Sequence, residues 1–163
     1  MTKTIKAQAL TKAAFAPFGD VIEKAGSEER VINNGKCIRH HDLARIDVRG
    51  ENARPVINIF AGTAYEMPLT LTMVERHPLG NQAFIPMHDR PFLVIVCPDE
   101  NGTPGEPVAF VTEPGQGINF PPNQWHGVLT PIGEDGDFVV IDRDGDGNNL
   151  EEFFFEKPFT VKL

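Results

Sequence analysis

The stretch Leu69-Thr-Leu-Thr-Met-Val-Glu-Arg-His77 carries the clearest periodic signal in the chain. Its residues alternate, placing Leu69, Leu71, Met73, Glu75 and His77 on one face of an extended strand and Thr70, Thr72, Val74 and Arg76 on the other. The apolar face is expected to be the interior one. On a strand that stays regular, Glu75 and His77 then enter that interior about 6.5–7 Å apart along the chain. Two titratable groups at the mouth of an apolar barrel call for a chemical reason.

Outward from this strand, short apolar runs recur between Gly, Pro, Asn and Asp residues. They are Val56–Phe60, Gln82–Met87, Phe92–Cys97, Val108–Val111, Gly127–Thr130, Phe138–Ile141 and Glu152–Phe155. With 15 Gly and 14 Pro scattered along the chain rather than gathered in a linker, eight short strands predict a mostly β protein: a sandwich, jelly roll or closed barrel. One short helix is expected near Thr11–Gly19, with Thr11 capping its first turn and Pro17 and Gly19 ending it.

The chain has 163 residues, which predicts one domain over 1–163. Its net charge of −8 (15 basic against 23 acidic residues) disfavours a nucleic-acid backbone or an anionic membrane as the main partner. A small-molecule ligand is expected instead. Phe92–Cys97, closed by Pro91 and Pro98, is far too short for a membrane span and reads as a buried strand. No apolar segment follows the lysines of Met1–Ala7, so a cytoplasmic location is expected. Cys37 and Cys97 lack metal spacing and read as two reduced thiols.

Glu75 and His77 leave one strand, Gln82 leaves the next on the face it shares with Phe84 and Pro86, and His126 can approach from a third. Imidazole, carboxylate and amide oxygen suit a borderline divalent metal, so Glu75, His77, Gln82 and His126 form a candidate ligand set. The alternative has His77 bonded to a carbonyl and Glu75 paired with an arginine, both merely closing the barrel end.

The spacing resembles the two motifs of the cupin superfamily. Glu75, His77 and Gln82 match the positions of a His-x-His-x4-Glu block, and Gly115, Pro121, Asn123 and His126 those of Gly-x5-Pro-x-Gly-x2-His. Glu75 replaces a His, Gln82 a Glu and Asn123 a Gly, which implies a weaker metal set. A narrower resemblance spans almost the whole chain. Phe15-x-Pro-Phe-Gly-Asp-Val-Ile22, Ile32-Asn-Asn-Gly35, Arg39-x-His-Asp-Leu-Ala44, Glu75-Arg-His-Pro-Leu-Gly-x-Gln-Ala-Phe-Ile-Pro-Met87, Trp125-His126 and Ile141-Asp-Arg143 look like the ureidoglycolate lyase family. That resemblance implies a cupin-like double-stranded β-helix, a cytoplasmic homodimer and a nickel cofactor. The implied reaction splits (S)-ureidoglycolate into glyoxylate and urea, late in allantoin and purine degradation.

The implied substrate is a carbinolamide bearing a carboxylate. Its elimination needs the hydroxyl deprotonated, the ureido nitrogen protonated and the carboxylate held. Glu75, His77 and His126 are the candidate catalytic residues; without metal, Glu75 would be the base and His126 the acid. Arg39, Arg76 and Arg143 are candidate carboxylate clamps, and Asn33, Asn34 and His41, close to Arg39 in sequence, can read the urea amide. Alternation points Arg76 away from Glu75. Two rival functions stay open: an amidohydrolase releasing ammonia from the same substrate, and a non-catalytic cupin that binds a small acid.

Asp142-Arg-Asp-Gly-Asp-Gly resembles the start of a calcium loop, but Phe153 stands where the twelfth-position Glu is needed. A hairpin turn rich in Asp and Gly is the expected structure.

Overall fold

A computed structural model describes residues 2–163. The strands run in the order β1 (Lys3–Lys6), β2 (Gln8–Ala9), β3 (Asp20–Ile22), β4 (Glu28–Ile32), β5 (Cys37–His41), β6 (Arg54–Gly62), β7 (Leu69–Arg76), β8 (Gln82–Pro86) and β9 (Phe92–Cys97). There follow β10 (Asp99–Glu100), β11 (Thr103–Pro104), β12 (Val108–Val111), β13 (Gly117–Phe120), β14 (Trp125–His126), β15 (Thr130–Pro131), β16 (Gly136–Asp144) and β17 (Glu151–Lys162). An eight-stranded sheet ordered β1-β17-β7-β14-β9-β12-β2, with β15 also on β9, packs against a five-stranded sheet ordered β3-β13-β8-β16-β6. The result is a mostly β, jelly-roll barrel, as the strand pattern predicts.

The barrel core lies between the two sheets. Phe84, Val94, Val96, Phe110, Ile118, Phe120, Phe138 and Val140 fill it, each worth roughly 1.5–3 kcal/mol of apolar transfer for the larger side chains. Helix α1 (Lys12–Phe15) plugs one end: Thr11 Oγ1 accepts from Ala14 N at 3.1 Å, and Phe15 meets Phe110 edge to face at 5.4 Å. A second layer covers the outer face of the larger sheet, where Leu93, Ile95 and Cys97 pack with Leu71, Val74, Trp125 and Val161 beneath Phe153, Phe155 and Phe159. Strand β9 is therefore buried on both faces, which is why its sequence is an unbroken apolar run.

Three sequence expectations change. Gly127–Thr130 is not one strand: the chain pairs at Trp125–His126 and again at Thr130–Pro131, with residues 127–129 between. Strand β13 (Gly-Ile-Asn-Phe), whose alternation is only four residues long, and the β4–β5 ribbon, which pairs only with itself, were not expected. The face assignment of β7 changes as well. Leu71 and Val74, three residues apart, lie in the same outer cluster, so the alternation slips by one residue. The partner strand explains the slip, because its pairing jumps from Phe154 opposite Met73 to Phe159 opposite Leu71. Glu75 therefore faces inwards, while Leu71 faces outwards with Val74.

Candidate metal and catalytic site

Glu75 is the last residue but one of β7, His126 sits opposite it in the β7–β14 pairing, and His77 is the first residue beyond the strand. One ligand atom from each lies within 4.8 Å of the others. His77 Nε2 is 3.7 Å from Glu75 Oε1, and the two imidazole rings have centroids 5.2 Å apart. Backbone geometry brings them together. Asn123 N donates to His77 O at 2.9 Å from a left-handed turn (φ 68°). Asparagine tolerates that conformation, which explains how it replaces glycine in the motif.

The hydrogen bonds settle which way each ring presents its lone pair. His77 Nδ1 donates to Asn149 O at 2.8 Å and His126 Nδ1 donates to Gly127 O at 2.9 Å; a carbonyl only accepts, so both Nδ1 atoms carry the proton. Both Nε2 atoms are left buried without a partner, as is Gln82 Oε1. Three orphaned acceptors beside one carboxylate are what a cation would satisfy, and the carbonyl-held imidazoles have the outer-shell support that metal-bound histidines carry. Burial drives His126 down to about 3, with nearby His77 adding to the effect, so the ring stays neutral. It stacks on Phe120 at 4.3 Å. A neutral ring with a bare Nε2 suits a metal ligand at that atom rather than a proton donor.

Burial pushes Glu75 above the usual carboxylate range; Glu152, opposite it on β17, adds to the rise while His77 opposes it. Glu75 and Gln82 line a cavity of about 770 Å³ together with Phe60, Tyr65, Val128 and Leu129.

Sequence reasoning missed Asp142. Strand β16 places Phe138 and Val140 in the barrel core, and the same alternation turns Asp142 inwards. Its carboxyl accepts from Asn58 Nδ2 at 2.9 Å, and burial raises its pKa against the opposing effects of Gln82, His77 and Asn58. The period-two pattern at 138, 140 and 142 was the available signal. Asp144 pairs with Arg54 at 2.6 Å and Asp146 accepts from Asn52 at 2.8 Å. The acids of the calcium-like stretch thus turn to different partners.

The expected substrate-binding residues do not gather at this site within one chain. Asn33 and Asn34 form the tip of the β4–β5 ribbon, both left-handed (φ 54°), and Arg39 is exposed on β5. His41 lines a different cavity of about 470 Å³ with Lys12, Asp20 and Ser27. Arg76 faces outwards, over the Trp125 ring at 4.3 Å and paired with Glu151 at 2.6 Å and Asp99 at 3.1 Å. Arg143 is tied to backbone: Nε donates to Arg49 O at 2.7 Å and Nη2 to Asp146 O at 2.5 Å. A Cβ at Gly80 would lie 2.6 Å from Arg143 Cβ, so only glycine lets the β7–β8 turn close onto this brace.

Fold and site together define a jelly-roll barrel with a carboxylate–imidazole ligand set at its mouth. The chain belongs to the ureidoglycolate lyase family, whose profile matches residues 2–162. It is 62% identical over 161 residues to "Ureidoglycolate lyase" of Chelativorans sp. (strain BNC1), covering 99% of this chain and 98% of that one. The protein of the same name from Mesorhizobium japonicum is 58% identical over 159 residues, covering 98% of each chain. "Ureidoglycolate lyase 2" of Rhizobium meliloti is 59% identical over 153 residues, covering 94% of each.

Proposed function

We propose that this protein is a ureidoglycolate lyase, a carbon–nitrogen lyase that eliminates urea from (S)-ureidoglycolate to give glyoxylate in allantoin and purine degradation. The observation that carries the reading is the convergence of Glu75 with the orphaned Nε2 atoms of His77 and His126 beside an open cavity. The relatives' names supply the substrate.

Glu75, made more basic by burial, takes the proton of the substrate hydroxyl. The oxygen lone pair forms the new carbonyl, the bond from carbon to the ureido nitrogen breaks, and the Glu75 carboxyl returns the proton to that nitrogen. No water is consumed. Asp142, fixed by Asn58, offers acceptor oxygens to the urea N–H groups. General acid–base transfer of this kind supplies roughly 10²–10⁴ in rate.

The donor set fits a divalent metal: Glu75, His77, Gln82 and His126 would hold it, and the family resemblance names nickel. Such an ion, when bound, lowers the pKa of a coordinated hydroxyl and polarises oxygen. Ile57 and Ile59 on the outer face of β6, 76% and 64% exposed, support a homodimer. We further place the protein in the cytoplasm, as one cupin-like domain over 1–163.

Product analysis on ureidoglycolate tests the reaction. Urea is expected in amounts equal to glyoxylate; ammonia in its place would make the protein an amidohydrolase, and no glyoxylate above the spontaneous rate would leave a small-acid-binding protein.

A further inference from the structure

The mouth of the barrel lacks a group that its substrate needs. Ureidoglycolate carries a carboxylate, yet no lysine or arginine is among the described residues lining the Glu75 cavity. Arg76 is held outside by Glu151 and Asp99, and Arg143 by backbone carbonyls. Glu75 lines that cavity, Glu152 lies opposite it on β17, and Asp142 extends the inward row of β16, so the polar groups there are acidic or neutral. With no fixed cation among those lining residues, an anionic substrate needs a cationic partner from elsewhere.

The chain carries such a group outside the lining of its own site. The β4–β5 ribbon pairs only with itself, and residues 30–39 hold Arg30, Lys36 and Arg39 with no acid. Arg30 is taken by Glu28 at 2.7 Å. Arg39 is exposed and in no ion pair among the described residues. The ribbon also exposes Val31, Ile32 and Ile38, at 68%, 40% and 52%. The rim of the cavity exposes Phe60, Tyr65 and Val128, at 36%, 41% and 39%. The distal part of the ribbon, basic and apolar over residues 30–39, and an acid-bearing mouth with an apolar rim are complementary in character.

Register determines which side chains travel together. Arg30 pairs opposite Arg39 and Ile32 opposite Cys37, so Ile32 and Arg39 share one face of the ribbon. A ribbon resting Ile32 on the Phe60–Val128 rim therefore turns Arg39 towards the cavity.

We propose that the site is completed in trans: the β4–β5 ribbon of a second copy of this chain lies across the mouth, and the partner's Arg39 holds the substrate carboxylate through two parallel hydrogen bonds. This assignment rests on the ureidoglycolate reading of the Glu75 site and adds to it the subunit that supplies the anion clamp. A two-fold axis makes the arrangement reciprocal, each ribbon serving the other mouth.

Complementation between two defective variants tests it. Arg39→Ala and Glu75→Gln are each expected to fold with unchanged circular dichroism and to lose at least about 100-fold in kcat/KM on ureidoglycolate. In Arg39→Ala the loss falls mainly on KM, and Arg39→Lys recovers part of it. Co-expressed with separate tags, the two variants form mixed dimers holding one intact mouth and one doubly defective one. Random association predicts about a quarter of full activity in the mixture. Absence of recovery in purified mixed dimers, a monomer in sedimentation, or ordinary kinetics in Arg39→Ala each overturns the trans assignment and leaves the Glu75 site standing. Unimpaired turnover in Glu75→Gln removes the site reading itself, and the assignment with it.

Discussion

His77 and His126 face one another across 5.2 Å, and each is locked by its Nδ1 proton to a backbone carbonyl, so that both turn a bare Nε2 towards Glu75. Neither ring can rotate without abandoning a hydrogen bond. The pair is thus set in one tautomer before any ligand arrives.

Glu75→Gln keeps the shape of the side chain but removes its basicity. Turnover of ureidoglycolate should fall by about 10²–10⁴ with little change in melting temperature. His77→Ala should also lose turnover, and in addition should weaken binding of added nickel measured by titration calorimetry, by about tenfold or more. Ordinary turnover in both variants would dismiss the site.

His126 links the site to acid stability. Its pKa is about 3 in the folded protein against 6.5 when free, so between those values the unfolded chain binds the proton and the folded chain does not. Stability is therefore complete above pH 6.5 and falls as the pH drops towards about 3, by at most a few kcal/mol from this residue. Urea unfolding of chelator-treated protein should show this loss, and His126→Gln should flatten it. An equally steep loss in the variant would assign it to other groups.

Asn123 holds a left-handed turn that aligns the two histidine segments. Asn123→Gly should leave stability within about 0.5 kcal/mol, whereas Asn123→Ala should cost about 1–2 kcal/mol through the strained backbone. Thermal melts of the two variants side by side provide the check.

Arg143 braces loops through two backbone carbonyls, which leaves its guanidinium engaged away from the cavity lining. Arg143→Ala leaves the Arg49 and Asp146 carbonyls without their donor, which should destabilise the fold by about 1–3 kcal/mol. Below its melting range the variant should keep a KM within about twofold of the unaltered protein. A KM raised tenfold or more in a stable variant would restore Arg143 as a clamp.

Much of this was readable from the chain alone, and the exceptions share a cause. Phe92–Cys97 was legible because two prolines bound an apolar run that only a strand buried on both faces would carry. Glu75, His77 and His126 were legible because spacing and motif together bring three ligating side chains to one mouth. The slip in β7 was not, because it originates in β17, eighty residues away, where the pairing skips from Phe154 to Phe159. Asp142 was masked by the acidic residues after it, which suggested a cation loop and hid the inward alternation from Phe138. Arg143 looked like a clamp because guanidinium chemistry is visible in sequence, whereas the Arg49 and Asp146 carbonyls that engage it are not.

The slip in β7 divides one strand between two tasks. Its first half, through Leu71, belongs to the outer apolar layer, and its last residues belong to the chemistry. Changes at Leu69 and Leu71 can therefore tune how firmly the sheet is covered without moving the carboxylate, and a change at Glu75 itself can alter reactivity while Val74 beside it still holds the layer closed. A lineage exploring new substrates on this barrel would find its robustness and its catalysis separately adjustable within eight consecutive residues.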